Sequence, residues 1–117
     1  MTREAQQLAT DERAKLGELH DKAAHAVDLL KAMANEWRLM ILCQLSEGEK
    51  TVSELQAILG LSQSALSQHL AVLRREKIVQ SRKHAQSVSY SLSGADATKV
   101  MHTLHEVFCD SQGGDRK

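Results

Sequence analysis

The sequence predicts a mainly helical fold with one small β-hairpin, and three observations lead to this prediction. The 117 residues include no proline and are rich in Ala, Leu, Glu, Lys and Gln, which favours helices. Two short amphipathic segments between residues 51 and 75 are separated by Gly60. The segment 78–92 alternates apolar and polar residues around a polar turn. This order predicts a winged helix-turn-helix within a single domain at 11–109.

The first third of the chain contains two predicted helices. Residues 1–10 are polar, and we expect them to be flexible, as chain termini often are. From Asp11, apolar residues recur every three or four positions, which predicts a long amphipathic helix. They are Leu16, Leu19, Ala23, Ala26, Val27, Leu30 and Met33. Asn35 is a favourable N-cap for a second helix over 36–45, and since this segment is apolar on nearly all sides we expect it to be buried.

Local capping and periodicity predict the helix-turn-helix itself. Thr51 and Glu54 have the spacing of a capping box, which starts a short helix. Gly60 allows a sharp turn, and Ser62 is a favourable N-cap for the next helix. The predicted core-facing residues of that helix are Leu66, Leu70 and Leu73.

The opposite face of this helix carries small side chains, most of them polar. They are Gln63, Ser64, Ser67, Gln68 and Ala71. A helix with such donors and acceptors can read base edges in a DNA major groove. Ser and Gln are also ordinary solvated helix residues when taken alone, but the adjoining turn and hairpin favour the DNA-reading interpretation.

Two strands are predicted over 78–83 and 87–92, with His84-Ala85-Gln86 as the tip. Strand alternation predicts that Val88, Tyr90 and Leu92 pack while Ser87, Ser89 and Ser91 face solvent. Near the tip, polar and basic side chains are placed to contact the DNA backbone or the minor groove. These candidates are Lys83, His84, Gln86 and Ser87. Ordinary exposed turn polarity is the alternative explanation.

Charge is unevenly distributed along a chain whose formal net charge is zero. Residues 1–50 hold seven basic and nine acidic groups, whereas residues 61–92 hold five basic groups and one acidic group. The basic residues of this second segment are Arg74, Arg75, Lys77, Arg82 and Lys83. Positive charge on the second helix and the wing predicts double-stranded DNA as the partner, with Arg74 and Arg82 near phosphates. A solvated basic face, or a winged-helix module that binds only protein, are the alternatives.

Ser93 and Asp96 have the spacing of a second capping box, which predicts a last helix with an apolar stripe. The stripe is Ala97, Val100, Met101, Leu104, Val107 and Phe108. Residues 110–117 contain no apolar side chain, and we expect a flexible tail. Because the two end helices carry more apolar surface than one protomer needs, we expect a homodimer through them. Two recognition helices would then lie roughly 34 Å apart on an inverted-repeat operator.

Other functional classes are disfavoured by what the chain lacks. No apolar run approaches 18 residues and no signal-peptide pattern begins the chain, so we expect a cytoplasmic protein without a membrane partner. No nucleophile-base pair, phosphate loop or carboxylate dyad occurs at recognisable spacing, so we do not expect an enzyme.

With these motifs in place, the chain resembles the ArsR family of small dimeric winged-helix repressors from about residue 25 to 109. The segment 30–42, Leu-Lys-Ala-Met-Ala-Asn-Glu-Trp-Arg-Leu-Met-Ile-Leu, is similar to the second-helix signature of that family, although Glu36 stands where proline is frequent. The segment 61–70, Leu-Ser-Gln-Ser-Ala-Leu-Ser-Gln-His-Leu, is similar to its recognition helix. The resemblance implies a DNA-binding repressor.

Many members of that family sense metals, but this chain lacks their ligand patterns. The Cys-x-Cys of one site type would fall in 52–55, which reads Val-Ser-Glu-Leu. The Asp-x-His of another is here Asp96-Ala97-Thr98, and His102 with His105 does not restore the pattern. We therefore expect neither a metal nor another cofactor.

Cys43 and Cys109 resemble the cysteine pair of the sulfide-responsive branch of the family. That resemblance implies that the reduced protein represses, and that persulfide or polysulfide releases DNA by forming a sulfur bridge between Cys43 and Cys109. His105 is a candidate neighbour of the thiol, because His102, His105 and Cys109 follow one helical stripe. Packing cysteines, a general thiol-disulfide sensor and a Zn²⁺ or Cu⁺ site with His102 and His105 are the alternatives.

Overall fold

The computed structural model describes residues 2–108, so Cys109 and the predicted tail at 110–117 lie outside the described residues. Five helices and three strands follow one another within this range. They are α1 (Arg3–Met33), α2 (Glu36–Ser46), β1 (Lys50–Thr51), α3 (Val52–Leu59), α4 (Gln63–Arg75), β2 (Val79–His84), β3 (Ser87–Leu92) and α5 (Ala95–Phe108). The predicted winged helix-turn-helix is confirmed. No helix between residues 2 and 108 has both the length and the apolarity needed to cross a bilayer.

Helix α1 begins at Arg3, earlier than the predicted start at Asp11. Thr2 acts as its N-cap, since its Oγ1 accepts a hydrogen bond from the backbone N–H of Ala5 at 3.1 Å. Residues 3–10 therefore form the first turns of the helix, where the sequence predicted a flexible segment. The apolar periodicity used for the prediction starts later and gave no sign of this cap.

The predicted caps of the next three helices are confirmed. Asn35 Oδ1 accepts from the backbone N–H of Arg38 at 3.0 Å. Thr51 and Glu54 form the reciprocal capping box of α3, with bonds of 3.0 and 2.8 Å. Gly60 ends α3 at φ +69°, a left-handed conformation that suits glycine, and Ser62 then caps α4.

The core lies where α2, α3, α4 and the sheet meet. Its fully buried large side chains are Ile41, Leu42, Leu55, Leu66, Leu73 and Ile78. The predicted core face of α4 is confirmed, since Leu70 is also buried. The prediction that α2 is buried on nearly all sides is wrong for one face, because Trp37 and Met40 are 39% and 46% exposed.

The antiparallel sheet has the order β1-β3-β2. Strand β1 was not predicted, because its two residues, which pair with Ser89 and Tyr90, are too few to show a period. Because β3 is therefore the central strand, one part of the alternation prediction is wrong: Ser89 is buried, at 7% exposure. The hairpin turns at Ala85-Gln86, with Ala85 in the left-handed region at φ +52°.

The capping box predicted at Ser93 and Asp96 is wrong. The backbone N–H of Ser93, which would have to donate to Asp96, instead donates to the carbonyl of Ile78 at 2.8 Å. Helix α5 consequently begins at Ala95, directly after Gly94 at φ +83°.

Both end helices leave apolar side chains in solvent. Of the 31 residues of α1 only Ala32 and Met33 are buried. The exposed large apolar residues of these helices are Leu8, Leu16, Leu19, Val27, Leu30, Val107 and Phe108. A single protomer therefore does not use most of the apolar surface of α1.

Candidate nucleic-acid interface and thiol groove

Helix α4 presents one exposed face opposite its buried leucines. Its members are Gln63, Ser64, Ser67, Gln68 and Ala71, and all five are exposed. Ser62 caps this helix through its bond to Ala65, so the first turn is fixed in place. Arg74 and Arg75 occupy the last turn and are also exposed. The predicted reading face is thus a continuous strip of small polar groups that ends in two guanidinium groups.

The hairpin places the predicted wing residues on two different faces. Cross-strand partners share a face, and Arg82 lies opposite Ser89, whereas Lys83 lies opposite Val88. The candidate side chains of the wing, Arg82, Lys83, His84, Gln86 and Ser87, are all exposed. Lys83 shares its face with Tyr90, and Arg82 shares the other face with His84.

A groove of about 430 Å³ separates α4 from the sheet. Its lining residues are Ser67, Ala71, Arg74, Arg75 and Tyr90. Two arginines and a tyrosine in one groove are a donor set that suits a phosphate oxygen. From the sequence, Arg75 was predicted only as part of the basic segment and Tyr90 only as a packing residue. Strand alternation alone does not show that α4 leaves space beside Tyr90.

Glu49, in the segment between α2 and β1, contacts the outer face of the wing. Its Oε1 accepts a hydrogen bond from Nη2 of Arg82 at 2.6 Å, and its Oε2 accepts one from the buried Ser89 hydroxyl. The Ser89 hydrogen bond and, to a smaller extent, the charge of Arg82 hold the pKa of the Glu49 carboxyl below its usual value, against the opposing effect of desolvation. This cluster was not predicted from the sequence, since Glu49 is 33 and 40 positions from its two partners.

Cys43 lies half-buried on α2 and lines a groove of about 420 Å³ that faces α5. Met101, His102 and His105 line the same groove from α5. The fold therefore brings His105 to the groove of Cys43, whereas the position of Cys109 lies outside the described residues. Within residues 2–108, no group of three or more His, Cys, Asp or Glu side chains is arranged to hold a metal ion.

Comparison with known proteins finds relatives along most of the chain. Residues 35–81 match the family described as bacterial regulatory protein, arsR family. The chain is 52% identical over 96 residues to the transcriptional activator HlyU of Vibrio cholerae, covering 82% of this chain and 89% of that protein. The solved structure of reduced HlyU matches with a TM-score of 0.77 at 53% identity, over 80% of this chain and 98% of that chain.

A second relative is a repressor. The biofilm growth-associated repressor of Xylella fastidiosa is 36% identical over 95 residues, which is 81% of this chain and 83% of that protein. The solved structure of the Xylella fastidiosa repressor BigR matches with a TM-score of 0.72 at 34% identity, over 86% of this chain and 97% of that chain. Both relatives are named as transcriptional regulators, and neither is named as an enzyme.

Proposed function

Because this chain belongs to the arsR family of bacterial regulatory proteins, which are DNA-binding regulators of transcription, we propose that it is a repressor controlled by reactive sulfur at Cys43. Helix α4 and the wing would bind an inverted-repeat operator in the reduced state. A sulfur bridge between Cys43 and Cys109 would then release it. The observation that carries the sensing proposal is the groove that holds Cys43 beside His102 and His105.

The proposed DNA surface follows from the exposure and charge of α4 and the wing. Gln63, Ser64, Ser67 and Gln68 are assigned to base edges in the major groove. Arg74, Arg82, Lys83, His84, Gln86 and Ser87 are assigned to the sugar-phosphate backbone or the minor groove. This assignment is supported by the exposed face of α4, which ends in Arg74 and Arg75, and by the exposed basic side chains of the wing.

A second copy of the chain is the proposed partner of the end helices. A helix of 31 residues extends about 46 Å, which is longer than this domain needs to cover its own core. Leu16, Leu19 and Leu30 on α1 are 55–59% exposed, and Phe108 on α5 is 73% exposed. A two-fold dimer removes this apolar surface from water and gives an operator with two half-sites.

The proposed sulfur chemistry uses polysulfide as the oxidant. The Cys43 thiolate attacks a sulfane sulfur, one S–S bond of the polysulfide breaks, and the shortened polysulfide leaves with the bonding electron pair. Cys43 then carries two added sulfur atoms, the outer one ending the chain as S–H. The Cys109 thiolate attacks the first added sulfur, and the outer sulfur leaves as hydrosulfide, so both thiols are oxidised and polysulfide is reduced to sulfide. We assign His102 and His105, which line the same groove, to assisting thiolate formation at Cys43.

The binding experiment uses the reduced protein and a fluorescent duplex isolated by selection from a random pool. Polysulfide should weaken DNA binding by about 5- to 150-fold, the usual range of allosteric coupling. Mass spectrometry should show the Cys43 and Cys109 peptides joined by one or more added sulfur atoms. The matched control, Cys43→Ser, should bind DNA in the reduced state, and polysulfide should not change its DNA affinity. Unchanged binding by the treated wild type would overturn the sensing proposal, and an equal response to peroxide would favour the general thiol-disulfide sensor.

Repression is tested separately, because the two relatives are named for opposite effects on transcription. A reporter with the selected duplex placed across its promoter should be silent with the reduced protein and active after polysulfide. Activation of the reporter by the reduced protein would refute the proposed repression, but it would not contradict the proposed DNA-binding surface.

A further inference from the structure

We infer that Glu49 is a positioning residue for DNA binding: it holds Arg82 and ties the wing to the helix-turn-helix, so that removing this negative charge weakens binding. The inference rests on the proposed DNA surface. The expected effect is the reverse of the usual one for an acidic side chain. A carboxylate near DNA repels the phosphates, so removal of the carboxylate normally strengthens binding.

The position of Glu49 makes it part of the helix-turn-helix unit. It directly precedes β1, and β1 runs without a linker into α3, whose N-cap is Thr51. The capping box between Thr51 and Glu54 fixes that start. A group attached at position 49 therefore moves together with α3.

The side chain of Glu49 reaches across the sheet to the wing. Arg82 is on β2, at the other edge of the sheet, and β3 lies between the two edges. One carboxylate oxygen binds the Ser89 hydroxyl on β3, and the other binds Arg82 Nη2 at 2.6 Å. The backbone joins β1 to β3 through only two residue pairs, Lys50 with Tyr90 and Thr51 with Ser89. The carboxylate thus supplies a further link between the wing and α3. Unlike the two backbone pairs, this link extends as far as β2.

Arg82 can hold Glu49 and still face DNA. A guanidinium carries five N–H donors, and the bond to Glu49 uses Nη2. The Arg82 side chain is 62% exposed, so the rest of the group faces solvent on the wing. A guanidinium already fixed by a carboxylate loses less side-chain freedom when it binds a phosphate, which favours association.

The test compares Glu49→Gln with the wild type in the reduced state, on the duplex selected with wild-type protein, by fluorescence anisotropy at several salt concentrations. We expect affinity to fall about 3- to 30-fold, because a dimer carries two such pairs and each exposed ion pair contributes a few-fold. The dependence on salt should stay near that of the wild type, since no phosphate contact is removed. Arg82→Gln should also weaken binding, and the double variant should bind no more weakly than Arg82→Gln alone.

Glu76→Gln is the matched control. Glu76 is 32% exposed against 35% for Glu49, and it pairs with Arg75 at 3.8 Å, but the two residues are adjacent in the chain and link no separate elements. Its removal should leave affinity unchanged or raise it. An equal loss in Glu76→Gln and Glu49→Gln would overturn the inference, as would unchanged or tighter binding by Glu49→Gln.

Folding and function are separated by two further measurements. Circular dichroism and thermal unfolding should show that the Glu49→Gln variant is folded. If it is not, Ser89→Ala replaces it, and we expect a smaller loss of DNA affinity. Wild-type affinity in Ser89→Ala would then contradict the inference. Additive losses in the Glu49→Gln, Arg82→Gln double variant would exclude action through Arg82. A wild-type protein that selects no duplex would instead refute the proposed DNA surface, and the inference with it.

Discussion

Replacing Lys83 by glutamine should show whether this wing residue contacts a phosphate. Lys83 lies opposite Val88, on the face of the hairpin that also carries Tyr90, and its side chain is exposed. Arg82, its neighbour, is on the other face and bound to Glu49. Lys83 is therefore the wing cation whose removal disturbs the least structure, so a loss of binding reports on DNA contact.

The expected magnitude follows from counterion release. Each phosphate contact contributes about 0.9 to the slope of log affinity against log salt, so a dimer that loses two contacts should show a slope smaller by about 1.8. Between 50 and 200 mM salt the wild type should accordingly lose about 12-fold more affinity than Lys83→Gln. Anisotropy titrations at four salt concentrations measure this difference.

Lys99→Gln provides the control for the same change of charge, because Lys99 is exposed on α5 and belongs to neither α4 nor the wing. Its salt slope should equal that of the wild type. A Lys83→Gln protein with the wild-type slope would refute the assignment of Lys83 to a phosphate, even if its affinity were lower.

Three further predictions concern stability and assembly. Leu66→Ala should lower the free energy of unfolding by about 2–5 kcal/mol in denaturant titrations, since Leu66 is fully buried in the core. Leu19→Glu should give monomers in sedimentation experiments, because Leu19 is 59% exposed on the proposed dimer face of α1 and a charge there opposes burial. The pKa of Glu49 is depressed in the folded protein. The carboxylate therefore contributes fully to stability above its usual pKa of 4.5, and this contribution is lost as the pH falls through the folded pKa. The difference in Tm between wild type and Glu49→Gln should vanish in acid.

The helix-turn-helix was predictable because its signals are local. The caps at Asn35, Thr51 and Ser62 each bond to a residue three positions away, so their sequence spacing is sufficient to find them. The same spacing failed at Ser93, where a carbonyl from Ile78 takes the N–H that a capping box requires. A local motif specifies local structure only when no distant group competes for the same donor.

The sheet and the Glu49 cluster were not predictable for the complementary reason. A two-residue strand shows no period, and its partners on β3 are about 40 positions away along the chain. Once β1 is present, β3 becomes the central strand and Ser89 is covered, which reverses the expectation drawn from alternation alone. The exposed reading face of α4 was predictable, whereas the carboxylate that holds the wing depends on this pairing.

Only a short segment of chain separates the helix that carries Cys43 from Glu49, which contacts the wing. Sulfur chemistry at Cys43 could act on the wing through this segment. Cys43 lies near the end of α2, and only residues 47–49 separate α2 from β1. Ile41, Leu42 and Leu45 are buried in the core, so α2 moves with little internal flexibility. Under the proposed sulfur chemistry, a bridge that shifts the end of α2 relative to α5 would displace Glu49, and with it the carboxylate bound to Arg82. Release of DNA would then need no large rearrangement, because the residue proposed to position the wing belongs to the three-residue connection between α2 and β1.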